Sequence, residues 1–192
     1  MIDYKEKNNF IKEKIKEFST EKRYKHILSV TNMAKKLAIH YNVNVDKIET
    51  AALLHDVSKH FTLNEMLNFL DKEEIEQEYL LGELLHGYAG AVFSRNFFKI
   101  NDKDILNAIK YHTIGRKAMS IYEKIIYIAD AIEETRNYEG VKKLRKLAFE
   151  DINLAILKEA DLKIKFLIDK NVIIHPSTLE MRNYYLNKIY GR

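Results

Sequence analysis

Apolar residues return at three- and four-residue steps along almost the whole chain, and that spacing predicts helices. Residues 3–18 read as a first helix with Phe10, Ile11, Ile15 and Phe18 on one side. Thr20 caps a second, running to about Tyr41, with an apolar arc of Tyr24, Ile27, Leu28, Thr31, Ala34, Leu37, Ala38 and Tyr41. Asp46 caps a third, to about Lys59. Thr62 opens a short fourth through Leu70, with Glu65 as its capping-box partner. The acidic stretch Asp71–Glu78 reads as exposed. Further helices are expected over 82–98, from Asp102 to a stop at Gly115, from Ser120 to about Glu134, near 140–148, near 150–170 and after Pro176. No alternating pattern long enough for a strand competes, and there is no internal repeat or flexible linker. The pattern predicts one all-α domain over residues 1–192.

Composition narrows the picture. A chain of 192 residues with 46% apolar and 31% charged positions can bury a real core. The absence of cysteine excludes disulfides, thiolate zinc sites and a cysteine nucleophile, and fits a reducing compartment. The longest unbroken apolar run, Ile125–Ala129, is far too short to cross a membrane, and the opening MIDYKEKNNF has no apolar signal region. A soluble, cytoplasmic protein with no membrane partner is expected. The net charge of +4 is modest, and bases alternate with acids as in KEKNNFIKEKIKEF. That describes a solvated helix face rather than a nucleic-acid surface.

Against this background a few polar residues stand out because they lie on apolar stripes. In AALLHDVSKH, at residues 51–60, four apolar residues run straight into His55 and Asp56, with Lys59 following. His26 shares a stripe with Val30, Met33 and Leu37; His86 follows LLGELL; His112 lies above Ile105 and Ile109; Asp130 ends KIIYIAD. A buried carboxylate must be paired with a cation, protonated or bound to a metal. A lone inward histidine is ordinarily a hydrogen-bonded core residue, and a lone aspartate can cap a helix or meet an arginine from elsewhere. A shared metal explains all six residues at once. Imidazole with carboxylate suits iron, manganese, zinc, cobalt or nickel. His26, His55, Asp56 and Asp130 fill one site. His86 and His112 imply a second cation close by, bridged through the two oxygens of Asp56. Such pairs support phosphoester chemistry.

The ordered set His26, His55–Asp56 and Asp130 resembles the HD superfamily of metal phosphohydrolases. Longer segments sharpen this: RYKHILSV at 23–30, AALLHDVSK at 51–59, LLHGYAGA at 84–91, AIKYHTIGR at 108–116, IADAIEETR at 128–136 and IIHPSTLEMRNYYL at 173–186. Together they are similar to the YqeK family of bacterial symmetrical diadenosine tetraphosphate hydrolases. The resemblance implies a helical HD domain with its core at about 20–136 and terminal helices packed on it. It also implies a di-iron centre on His26, His55, Asp56, His86, His112 and Asp130, and cleavage of diadenosine tetraphosphate to two ADP. Tyr88 stands where that family usually has proline, and IEETR lacks a proline and a small residue common in that loop.

The expected chemistry is attack of a metal-bridging hydroxide on one of the two middle phosphates, with Asp56 as the bridge. Lys59, Arg116 and Arg136 are the cations expected to meet phosphate, with Thr113 and the backbone near Gly115 as further donors. His175 is expected near the nucleotide on the strength of the tail motif, and one of the twelve tyrosines is a candidate for stacking on adenine. Gly82, Gly87 and Gly90 fit either close helix packing or room for substrate. The competing functions are another HD nucleotidase or deoxynucleotide phosphatase, a non-catalytic nucleotide sensor, and a helical protein-interaction module. The residues leave the oligomeric state open, a homodimer included.

Overall fold

The computed structural model describes residues 4–70 and 82–191. The expectation for Asp71–Glu78 lies outside the described residues. Among these, ten α-helices and no strand are found, so the chain is all-α. The helices are α1 (Tyr4–Phe18), α2 (Glu21–His40), α3 (Val45–Leu54), α4 (Leu63–Phe69), α5 (Leu85–Asn96), α6 (Lys103–Tyr111), α7 (Ile121–Ile132), α8 (Val141–Glu150), α9 (Ile152–Asp169) and α10 (Pro176–Tyr190). A single 3₁₀ turn, Gly82–Leu84, leads into α5.

The starts are set by side chains that take orphan backbone N–H groups. Thr20, Thr62, Asp102, Ser120 and Asp151 each accept from the first turn of the helix that follows. Thr62 and Glu65 form the expected capping box, and Ser120 with Glu123 forms another. One expectation fails at an end: Asn44, not Asp46, caps α3, and Asp46 lies in the first turn.

Helix α3 is buried on nearly every side, with Ile48, Ala51, Ala52, Leu53 and Leu54 fully enclosed. Its small residues let α1, α2, α6 and α7 close around it. From α1, Ile11 and Ile15 fill the same core, each fully buried and contributing about 1.5–3 kcal/mol. Phe10, expected on that face, is 48% exposed and meets Phe98 edge-on. Helix α5 packs on α6 through Gly87, where a Cβ would come within 2.6 Å of the Lys110 carbonyl oxygen. Close packing is therefore what this glycine serves. It brings His86 on α5 toward His112 at the end of α6. Helix α9 lies against α7, α8 and α10, completing the wall beside the C-terminal end of α7.

Candidate metal centre

Five segments deliver their polar residues to one point. His26 comes from α2, His86 from the first turn of α5, His112 from the C-cap of α6 and Asp130 from the last turn of α7. His55 and Asp56 come from just beyond α3. That helix does not run on to Lys59, as its continuing periodicity suggests: it ends at Leu54, with His55 as C-cap. Residues 54–61 then tighten into three-residue turns, with Val57, Lys59 and Phe61 N–H donating to Leu54, Asp56 and Ser58 carbonyls at 3.0–3.1 Å. Ser58 Oγ donates to the His86 carbonyl at 2.6 Å, tying this turn to α5.

The four imidazoles share one orientation. Nδ1 of His55, His86 and His112 lies 2.6, 2.5 and 2.7 Å from the carbonyl three residues earlier, that of Ala52, Glu83 and Ile109. Nδ1 of His26 faces Glu133 Oε1 at 3.4 Å. A carbonyl oxygen only accepts, so a neutral His55, His86 or His112 carries its proton on Nδ1 and presents a lone pair at Nε2, whereas His26 meets a carboxylate at both nitrogens. The Nε2 atoms turn to Asp56. His26 and His55 approach its Oδ2 at 3.7 and 3.5 Å, whereas His86 and His112 approach its Oδ1 at 3.3 and 3.6 Å. His26 Nε2 is also 3.2 Å from Asp130 Oδ1.

This donor set fits cations better than it fits itself. His86 and His112 hold their Nε2 atoms 3.0 Å apart, lone pair toward lone pair, with the Thr113 hydroxyl 3.3 and 3.1 Å away. His55 Nε2 is buried without any hydrogen-bond partner. Donors held about 2.0–2.2 Å from a shared ion lie about 3–3.5 Å from one another, close to the 3.0–3.7 Å seen. His26, His55 and Asp130 form one group able to hold a metal, and His55, Asp56 and His112 another.

Protonation agrees with this. Burial pushes His55 down to about 4 and lowers His86 as well, so both are neutral ligands near pH 7. Burial opposes ionisation of Asp56, but the imidazoles around it hold its carboxyl well below the usual range. Asp130 is opposed by burial too, and its hydrogen bond with His26 outweighs that and lowers it. The same bond, made by an Nε2 proton that a bound cation would displace, overcomes the burial of His26 and raises it.

The carboxylates have cationic neighbours, of which sequence spacing pointed to Arg136 but not to Arg23. Arg23 Nη1 reaches Asp56 Oδ2 at 2.5 Å from α2. Arg136 donates to Asp130 twice, Nη2 to Oδ1 at 2.8 Å and Nε to its carbonyl at 3.0 Å. Arg23 stands three residues before His26, on the same helix face. Glu133, likewise missed, is 1% exposed and three residues after Asp130. It orients His26 while accepting from Ser29 Oγ, Thr135 Oγ1 and Thr135 N–H at 2.5–2.7 Å. Burial of Glu133 is outweighed by the Ser29 and Thr135 hydrogen bonds, which lower its pKa.

The residues expected to meet substrate divide. Lys59 stands on the Nδ1 side of His86, its Nζ 3.3 Å from that nitrogen and paired with Glu83 at 2.5 Å. Thr113 lies against the Nε2 atoms of His86 and His112, and Arg136 against Asp130. Arg116 instead forks onto Glu123, with Nε and Nη2 at 2.5 and 3.0 Å, and lies over the Tyr111 ring. Gly115 N–H donates to the Tyr111 carbonyl at 2.8 Å. Its φ of +66° suits glycine, and a Cβ would collide with Met181. His175 caps α10, Nδ1 accepting from Ser177 N–H at 3.1 Å. A cavity of about 790 Å³ opens beside His26, with Lys22, Arg23, Lys25 and Arg136 in its lining.

The family model for the HD domain matches residues 23–135 of this chain. The chain belongs to the HD-domain family. Among curated proteins, the symmetrical bis(5'-nucleosyl)-tetraphosphatase of Halalkalibacterium halodurans is 41% identical over 90% of this chain and 93% of that protein. The protein of the same name from Bacillus subtilis is 37% identical over 90% and 94%. Among solved structures, a Clostridium acetobutylicum protein described as a predicted HD superfamily hydrolase involved in NAD metabolism superposes with a TM-score of 0.84, at 42% identity, over 94% of this chain and 97% of its own. The HD pair of the family name is His55–Asp56, the residues at the end of α3. No helix among the described residues is long and apolar enough to cross a membrane.

Proposed function

We propose that this HD protein is a metal-dependent hydrolase that cleaves diadenosine tetraphosphate symmetrically to two ADP. The observation that carries the reading is the convergence of four Nε2 atoms on the split carboxylate of Asp56. It occurs in a chain that aligns almost end to end with symmetrical tetraphosphatases. His26, His55 and Asp130 would hold one ion and His86 and His112 another, with Asp56 bridging; we propose iron for both. Metal ions so held supply Lewis acidity, making a water nucleophilic near neutral pH and neutralising phosphate charge.

The chain's own residues hold the substrate. Arg23 and Arg136 face the centre from the side of the basic cavity, and Arg136 can fork onto a phosphate while keeping its α7 carbonyl contact. Lys59 faces it from the His86 side. Cations on both flanks suit a polyphosphate laid across the site with a middle phosphorus at its centre. Water adds to that phosphorus as the bridging P–O bond breaks. One ADP leaves as a phosphate anion, and the water's proton passes to solvent. Lys59 offers an N–H to the departing oxygen, and Thr113 Oγ1 a hydrogen bond beside it.

The test pairs two measurements on protein purified without added metal: metal quantification, and chromatography of the products of diadenosine tetraphosphate. Two metal ions per chain and two ADP per substrate are expected. ATP with AMP, or turnover confined to mononucleotides, would overturn the substrate. Metal-free protein with full turnover would overturn the chemistry.

A further inference from the structure

The turn that joins α7 to α8 sends side chains onto two of the candidate metal ligands. From one end Glu133 faces His26 Nδ1 at 3.4 Å, and from the other Arg136 donates to Asp130 Oδ1 at 2.8 Å. No proline stands between Ile132 and Val141, so no ring fixes this backbone and its shape rests on hydrogen bonds. Inside the turn, Thr135 closes on the Glu133 carboxylate through its N–H and hydroxyl, at 2.7 and 2.6 Å.

The remaining bonds come from further along the chain. Helix α7 ends at Ile132, which leaves its last carbonyls without helical donors. Side chains take them in order. Arg136 Nε donates to the Asp130 carbonyl at 3.0 Å, the Tyr138 hydroxyl to that of Ala131 at 3.0 Å, and Arg145 Nε to that of Ile132 at 2.7 Å. Arg145 then reaches further. Its Nη2 has two N–H groups, and it donates to the Glu133 carbonyl at 2.8 Å and the Arg136 carbonyl at 2.7 Å. One planar guanidinium therefore spans both ends of the turn.

The clamp stands on rigid ground. Arg145 follows Leu144 on α8, which is anchored by buried Val141, Leu144 and Ala148. These three bonds all go to backbone carbonyls, and Arg145 is not in the lining of the basic cavity. Of the two arginines at this helix end, Arg136 is the one that phosphate can draw from the Asp130 carboxylate. Arg145 is the one that stays.

We propose that Arg145 is a positioning residue for the centre. It holds the 133–136 turn so that Glu133 keeps its aim on His26 and Arg136 its reach to phosphate. The reach of Arg136 rests on the hydrolase reading above, whereas the hold on His26 needs metal binding alone.

The deciding experiment is chelator competition, which reads metal affinity without turnover. Arg145→Ala should weaken that affinity about tenfold, the lower end of what the outer partner of a ligand contributes. Arg145→Lys keeps the charge but not the fork and should fall between Arg145→Ala and wild type. Methylguanidinium should restore affinity to Arg145→Ala and methylammonium should not, because only the first can span the turn. Arg116→Ala, which removes a guanidinium of purely structural use, should keep its affinity. In the loaded enzyme the loss in Arg145→Ala should fall mainly on KM for diadenosine tetraphosphate. Metal affinity within about twofold of wild type in Arg145→Ala would overturn the proposal, and so would an equal loss in Arg116→Ala. Arg145→Lys decides by the same limit if the alanine variant does not fold. Weakened metal affinity in a protein that fails to cleave the dinucleotide keeps the clamp and sinks the reaction.

Discussion

Glu123 and Asp56 are both carboxylates buried among helices, 1% and 4% exposed, and they keep opposite company. Glu123 is closed. Arg116 forks onto both its oxygens, and Ser120 N–H donates to it at 2.8 Å, so its charge and its lone pairs are spoken for. Asp56 has one arginine, on Oδ2, and four imidazole nitrogens, three of which bring lone pairs instead of protons. A buried acid surrounded by donors is scaffold. A buried acid surrounded by acceptors is a demand for a cation.

The comparison breaks most visibly at the open cluster. His55→Ala should abolish turnover and deplete metal, read by elemental analysis of the folded variant. Asp56→Asn should disturb both ions; two tightly held metals with full turnover in that variant would remove the bridge. Next in size is Glu133→Gln, which loosens the hold on His26. A partner of this kind is worth about 10–100-fold in metal affinity, measurable by chelator competition. A loss of stability with unchanged metal affinity would make Glu133 scaffold like Glu123. At the closed cluster the response should be the reverse. Arg116→Ala strands a buried acceptor and costs about 1–3 kcal/mol, several degrees in Tm, with metal content held. Loss of metal in that variant would erase the distinction.

The smallest effect concerns a third acid. Burial of Glu49 is outweighed by Lys12 and Lys35, at 2.5 and 3.0 Å, and its pKa is lowered. A folded pKa below the unfolded one, about 4.3, means stability that is fully present above that value and lost as pH falls through the folded pKa. Glu49→Gln should therefore be less stable than wild type at pH 7 and nearly equal to it at pH 3, by denaturant titration. An equal gap at both pH values would refute the assignment.

Much of this was legible in the chain. Thr20, Thr62, Asp102 and Ser120 announced their helices because capping is a local event. The inward His and Asp residues were visible because a polar residue on an apolar stripe needs a reason. What escaped depends on contacts between segments. Periodicity runs on through HDVSK, so nothing local shows α3 stopping at Leu54; tight turns keep much the same apolar spacing. Arg23 looks like surface charge until α2 and the 54–61 turns are assembled. Arg116 looked like a phosphate ligand because its partner, Glu123, is hidden in a capping box seven residues on. The clamp on the 133–136 turn needed α8 laid against the end of α7, which no spacing within either helix encodes.

The bond from three imidazoles to carbonyls within their own turns has a further consequence. The aim of His55, His86 and His112 is set by their own backbone and does not wait for an ion. The rings form a mould cast before loading. A site preset in this way would let one ion be dialysed out and another put in without local refolding, and its occupant would follow supply as much as affinity.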